Sequence, residues 1–276
     1  MAHGSSLPTA AVPWNGRHAT SADGFIAGLY LDLDGTILDG DMHHACWYFL
    51  HQLPASLTKF LRLGTYPLAL LLAMATQAVR GESAAVKILA WHATAGLKAP
   101  DLKLAGQRTS EVLARNIRPQ VLAELRAYQA EGFYVGIVTG NLEPLVRSLV
   151  FDVLKANALE GTRLLINAKG IVTGRMACPS YPIIPRATGQ IDGAVCVAEE
   201  KRRRLRGNPV LHELEYTIGY GNSGNDIPFM SLMTTAKAIT PSARLWRHAT
   251  QAGWPVYTPV ALPSELALFA RIYATV

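Results

Sequence analysis

Cysteine is scarce in this sequence: Cys46, Cys178 and Cys196 are the only three among 276 residues. They lie far apart, are odd in number and form no CxxC pair, which argues against a disulfide framework and against a zinc site. A reducing cytoplasm is therefore the expected compartment. Also missing is the continuous apolar core of a secretory signal; residues 1–22, rich in Ala, Ser, Gly and Pro, read as a flexible tail. There is no internal repeat and no low-complexity block. There is also no extended basic stripe. The formal charge is +6, but the cations are scattered, so anionic ligands are favoured and nucleic acid is not an expected partner. The clearest basic cluster, Lys201 to Arg204 with Arg206, reads as a solvated helix face. The apolar run from Tyr66 to Val79 is shorter than the ~20 residues a spanning helix needs. A buried or pocket-lining helix is expected there, with an interfacial or lipid-facing helix as the alternative, and membrane contact is not the expectation.

Half of the residues are hydrophobic, enough for a sizeable core. A β-prone run climbs from Phe25 and ends in Asp32, Asp34, Gly35 and Thr36. Two carboxylates at the end of a buried strand are costly unless a cation or donors compensate them, so folding alone does not explain them. From Met42 to about Arg115 strand signals vanish. Apolar residues recur at helical spacing around Trp47, Tyr66, Trp91 and Leu104, punctuated by Pro54, Gly64, Gly81 and the 96–100 region, which predicts a module of about four helices. Trp47, Trp91 and the leucines around Leu70 are expected in its core.

Alternation of helix and strand then resumes. The pattern predicts a helix from Pro119, a strand over 133–138, a helix over 142–153 and a hairpin over 163–176. A helix at 199–205, a strand over 215–220, a helix over 227–233 and a strand over 236–240 follow. This order predicts a doubly wound α/β fold: a Rossmann-like parallel sheet, built from residues 23–40 and 116–276, with a helical cap inserted at 41–115. Residues 178–197 carry no assignable pattern.

In such sheets ligands bind at the carboxyl ends of the strands. Three strand ends carry polar residues here: Asp32 and Asp34, then Thr139, then Asn222 and Asp226. Lys201 lies just ahead of the third. These groups offer oxygen ligands to a hard cation and donors to an anion, which suits Mg²⁺ better than zinc.

The set resembles the haloacid dehalogenase superfamily. Asp-Leu-Asp-Gly-Thr at 32–36 is similar to its first motif, DxDGT. Thr139 in Gly-Ile-Val-Thr-Gly looks like the second, Lys201 in Cys-Val-Ala-Glu-Glu-Lys the third, and Gly221 to Asp226 the fourth, usually GDxxxD. The resemblance covers roughly Phe25 to Thr240, and the insert resembles the C1-type cap of the phosphoserine-phosphatase-like branch, subfamily IB. It implies a Mg²⁺-dependent phosphatase acting on a small phosphorylated metabolite through an aspartyl-phosphate. Asp32 would be the nucleophile and Asp34 the acid and base. Asp32, Asp34, Asn222 and Asp226 would hold the metal; Thr139, Gly140 and Lys201 would hold the phosphate. Asp41, His43 and Asn225 are candidates for substrate contact. One departure is plain: Asn222 stands where the family normally has an acid, so weaker metal binding is expected. A weakened or inactive protein that binds a phosphorylated ligand, and a phosphotransferase, stay open as alternatives, as does a homodimeric assembly.

Overall fold

A computed structural model describes residues 25–177 and 194–258. Cys178, the 1–22 tail, most of the 178–197 segment and the last residues lie outside them. The described residues build a six-stranded parallel sheet in the order β3-β2-β1-β6-β7-β8. Its strands are β1 (Ala27–Leu31), β2 (Tyr134–Leu142), β3 (Ala158–Thr162), β6 (Tyr216–Gly221), β7 (Thr235–Ile239) and β8 (Val256–Tyr257). An antiparallel hairpin of β4 (Leu164–Ile166) and β5 (Val172–Met176) stands apart from it.

β1 is the central strand because every residue of Ala-Gly-Leu-Tyr-Leu is buried, as a strand covered on both faces requires. Its side chains alternate between two cores. Leu29 and Leu31 join the apolar cluster on one face; Tyr30 joins the cluster on the other. Tyr30 pairs with Gly136 on β2 and Gly219 on β6. Its ring lies across Gly136, where a Cβ would stand 2.7 Å from the ring carbons. Helices α5 (Pro119–Ala130) and α6 (Glu143–Ser148) bury Val121, Leu125 and Leu145 on the first face. Helices α7 (Glu199–Arg206), α9 (Ile227–Met230) and α10 (Ala243–Ala252) bury Leu205, Phe229 and Leu245 on the second. Short α8 (Pro209–Glu213) links α7 to β6.

The predicted helical insert is present as α1 (Met42–Gln52), α2 (Leu57–Arg80), α3 (Glu82–Thr94) and α4 (Ala99–Ala114). Its details correct the sequence reading in three places. Gly64 does not punctuate; α2 runs unbroken through Gly64 and Pro67 for 24 residues. Of the two readings of the Tyr66 run, buried or pocket-lining, the first fails and the second holds, since Leu70, Ala73, Met74 and Gln77 line a cavity. α2 buries Tyr66, Ala69 and Ala73, while Leu68, Leu71, Leu72 and Met74 are all mostly exposed. Trp91 is 61% exposed rather than core, and Trp47 is also exposed.

α4 is joined to the sheet domain through its smallest residue. A Cβ on Gly106 would stand 2.0 Å from the Pro144 carbonyl oxygen of α6, and Ser110 Oγ donates to the Leu145 carbonyl at 2.9 Å. Nothing lies within 4 Å of a Cβ added at Gly64. Gly106→Ala is therefore expected to cost about 3 kcal/mol. Gly64→Ala, relieved of glycine's helical penalty, is expected to gain about 0.5–1 kcal/mol. Denaturant titration of the two variants checks both signs.

Candidate active site

The carboxyl ends of three neighbouring strands, β2, β1 and β6, meet at one cavity of about 550 Å³. β1 stops at Leu31, so Asp32 and Asp34 sit in the turn that follows and diverge. The Asp32 amide still donates to the Tyr220 carbonyl at 2.9 Å, which ties the acid to β6. Its carboxylate accepts from Thr36 Oγ1 at 3.0 Å and from Lys201 Nζ at 2.5 Å. Asp34 points the other way, toward β2. It accepts from Thr139 Oγ1 and Asn141 Nδ2, each at 3.1 Å. Gly35 makes the turn at φ +75°, and a Cβ there would run into the side chain of Asn222.

Lys201 is 3% exposed and bridges two acids, donating to Asp32 and to Asp226 Oδ1 at 2.7 Å. Burial opposes its charge, but Asp226 and Asp32 outweigh burial and hold its pKa above the ordinary lysine value. The basic run is thus no simple solvated face. Lys201 and Arg204, three apart, turn inward together. Arg204 is also buried and donates to the Gly161 and Ala194 carbonyls and to Glu200, while Arg203 lies outside. The second oxygen of Asp226 accepts from Ser223 Oγ and from the amides of Asn222 and Ser223. Asp226 therefore shapes the loop after β6 as well as compensating Lys201.

Nine of the ten sequence-predicted site residues line this cavity: Asp32, Asp34, Asp41, His43, Gly140, Lys201, Asn222, Asn225 and Asp226. Thr139 stands behind them, with its hydroxyl committed to Asp34. Asp41 has a second role as the cap of α1, where it accepts from the backbone of His44. Two contributors escaped the sequence reading. Asn141 shares the Asp34 carboxylate with Thr139. Glu82, at the start of α3, lines the cavity and accepts from Asn225 Nδ2. Glu82 carries no motif and stands 50 residues from Asp32 in the chain; only the folding of the insert over the sheet brings it in.

The cavity gathers several acids around one buried cation. Burial, then repulsion from Asp226, raises the Asp32 pKa despite Lys201. Burial pushes Asp34 up to about 6 against the pull of its Asn141 and Thr139 hydrogen bonds. Burial also raises Glu82. Asp32, Asp34, Asn222 and Asp226 bring side-chain oxygens to the cavity lining, and the Asn222 side-chain amide makes no hydrogen bond among the described residues. That donor set and its surplus of negative charge fit a hard divalent cation.

The family model for haloacid dehalogenase-like hydrolases matches residues 29–231. The chain belongs to this family. Among curated relatives, it is 29% identical over 109 residues to the phosphoserine phosphatase SerB1 of Mycobacterium tuberculosis, a match covering 36% of this chain and 35% of that protein. The chain thus matches about a third of that relative's length. A Bordetella pertussis protein of unknown function has a similar structure, with TM-score 0.64, 20% identity, and coverage of 84% of this chain and 98% of that one. A Vibrio cholerae protein described as a probable phosphoserine phosphatase gives TM-score 0.57 at 16% identity, over 91% and 68% of the two chains. These structural likenesses establish a fold shared with phosphoserine phosphatases.

Two outcomes follow from the site's electrostatics. Lys201→Met leaves Asp32 and Asp226 buried without their cation and is expected to cost about 3–5 kcal/mol at pH 7. Because burial and Asp226 raise the Asp32 pKa, the cost should shrink as the pH falls and Asp32 takes up a proton; urea titration across a descending pH series checks it. For Asp34, the folded state retains a proton that the unfolded chain loses above its ordinary pKa near 3.8. In metal-free buffer Asp34 therefore stabilises the fold most below pH 4, and that contribution is lost as pH rises to about 6. Asp34→Asn should flatten this slope in a pH series of thermal melts.

Proposed function

We propose that this protein is a Mg²⁺-dependent phosphomonoesterase that works through an aspartyl-phosphate on Asp32. Residues 41–115 act as its cap, and residues 23–40 and 116–276 form its catalytic core. The observation that carries the reading is the division of labour between the two acids. Asp32 is held by Lys201 and Thr36 with its charge compensated, as a nucleophile needs. Asp34 is held by neutral donors with its pKa raised to about 6, as an acid and base working near neutrality needs.

In the first step an Asp32 oxygen attacks phosphorus. The Asp32–phosphorus bond forms, the ester P–O bond breaks, and Asp34 gives its proton to the departing alkoxide. In the second step water attacks the phosphoryl group. Asp34 takes the proton from water, the Asp32–phosphorus bond breaks, and inorganic phosphate leaves. Lys201 pairs with the Asp32 carboxylate and faces the phosphoryl oxygens, and the Gly140 backbone lies beside the same space. Asp32, the Asp34 backbone, Asn222 and Asp226 would hold Mg²⁺, which supplies charge neutralisation to the phosphate and the two acids. Asp41, His43 and Glu82 on the cap, and Asn225 opposite Glu82 in the loop after β6, are placed to contact the rest of the substrate. Asn222 contributes a neutral oxygen where a carboxylate would bind the ion more strongly, which leads to a protein that needs abundant Mg²⁺.

The test is phosphate release from a generic phosphomonoester across a Mg²⁺ titration. Asp32→Asn is expected to lower turnover on the order of 10³-fold or more. Asn222→Asp is expected to move half-activation to several-fold lower Mg²⁺. Full activity in Asp32→Asn would refute the nucleophile assignment. Binding of a phosphomonoester without turnover at any Mg²⁺ concentration would instead favour a ligand-binding protein.

A further inference from the structure

Helix α2 has two faces that fold stability does not explain together. Its inner side contributes Leu70, Ala73, Met74 and Gln77 to the wall of the active-site cavity. Its outer side presents Leu57, Leu61, Leu68, Leu71, Leu72 and Val79 to solvent, with Leu68 at 69% exposure. Their spacing of three, four and seven residues makes one continuous stripe along the helix. At 1.5 Å per residue the stripe is about 35 Å long. Isolated exposed leucines are ordinary, but a contiguous stripe of this size marks a surface that is covered by something.

Charge identifies the cover. α2 carries three charged residues, Lys59, Arg62 and Arg80, and all are basic. Lys59 donates to the His51 and Leu53 carbonyls and Arg62 to the His92 and Ala95 carbonyls. None of the three, nor Lys87, is in an ion pair among the described residues. Leu68 and Leu72 continue sideways into a groove on α3 lined by Lys87, Ile88 and the exposed Trp91. An apolar stripe with cations at its ends and an exposed tryptophan beside it is the composition of a helix lying in the surface of an anionic bilayer. Two copies of α2 laid against each other would set Arg80 of each near Lys59 of the other in an antiparallel arrangement, with no acid on either helix to offset them. Crossing the bilayer is disfavoured as well. Tyr66, Ala69 and Ala73 are buried against the rest of the insert, and Arg62 is tied to the end of α3, so a spanning α2 would have to leave its neighbours.

We infer that α2 docks this protein on an anionic membrane surface and that the cavity on its inner side receives the phosphate of a lipid phosphomonoester. The substrate half of this inference rests on the phosphatase reading; the docking half does not. The cavity, about 550 Å³, is larger than a phosphate requires. Its acids lie at the strand ends, while the wall nearest α2 is apolar, with Met42, Leu70, Met74, Val86 and Leu89. That wall suits the glycerol and first methylenes of a lipid. Hydrolysis would follow the steps above, with a lipid alcohol and inorganic phosphate as products. The docking half takes up the interfacial alternative that the sequence left open for the Tyr66 run, in place of the expectation of no membrane contact.

The test uses the full chain with vesicles of phosphatidylcholine alone, with added phosphatidylglycerol, or with added phosphatidic acid. Co-sedimentation is expected with both anionic vesicles and not with the neutral ones. It should fall at least tenfold in Leu68→Glu/Leu72→Glu, whose substitutions are at the surface and away from the cavity, and fall in high salt. That variant should keep its activity on a water-soluble phosphomonoester. Phosphate release is expected from phosphatidic acid vesicles in the presence of Mg²⁺. Absence of vesicle binding, with a dimer in sedimentation equilibrium that the same double substitution dissociates, would overturn docking in favour of a second copy on α2. Vesicle binding with turnover of the soluble ester but not of phosphatidic acid would overturn the lipid substrate alone. Vesicle binding with turnover of neither would overturn the substrate half together with the phosphatase reading, while docking would stand.

Discussion

The site depends on one buried ammonium. Lys201 stands between Asp32, at the end of β1, and Asp226, in the loop after β6. Two carboxylates this deeply buried would otherwise draw protons or repel each other apart. With Lys201 between them, they join a helix and two neighbouring strand ends into one rigid unit. The rest of the geometry follows from this bridge. Asp226 uses its second oxygen to close the 222–226 loop. Asn222 is thereby held against Gly35, at the turn that aims Asp34 toward Thr139 and Asn141. The same bridge offsets part of what burial and Asp226 cost the Asp32 charge, while Asp34 is left to neutral donors alone.

Much of this was legible because the chemistry is concentrated at strand ends. Asp32, Asp34 and Thr139 follow apolar runs that can be little other than central strands, and their convergence follows from parallel topology alone. Lys201 was harder. It opens a run of four cations, and only its three-residue phase with Arg204 distinguishes the inward pair from the outward one. β3 escaped notice because Ala158–Thr162 contains Glu160 and Gly161 and has no apolar run; its place at the sheet edge depends on β2 rather than on its own pattern. Glu82 was invisible because its role depends on how the insert folds over the sheet. The insert's apolar residues were read as a core, yet many are displayed. Periodicity marks a helix's apolar stripe but cannot say whether protein or another phase covers it.

This difference matters for how such a protein selects its substrate. On the proposed phosphatase reading, the strand-end groups would take the phosphate alone. Selection is left to the insert, which contributes both a polar edge, with Asp41, His43 and Glu82, and an apolar wall, with Leu70 and Met74. The two sides suit a substrate with a charged head and an apolar remainder, held between a rigid sheet and a helix whose outer face is itself apolar. Gly106, where α4 meets α6, fixes how closely the insert can approach the sheet.

The central claim is that Asp32, compensated by Lys201, accepts the phosphoryl group. Rapid acid quench of a Mg²⁺-supported reaction, followed by peptide mapping in a mass spectrometer, tests it most directly. A phosphoryl adduct on the Asp32 peptide, formed and lost within a single turnover, is the result expected. Phosphate release at full rate with no adduct on that peptide at any quench time would contradict it.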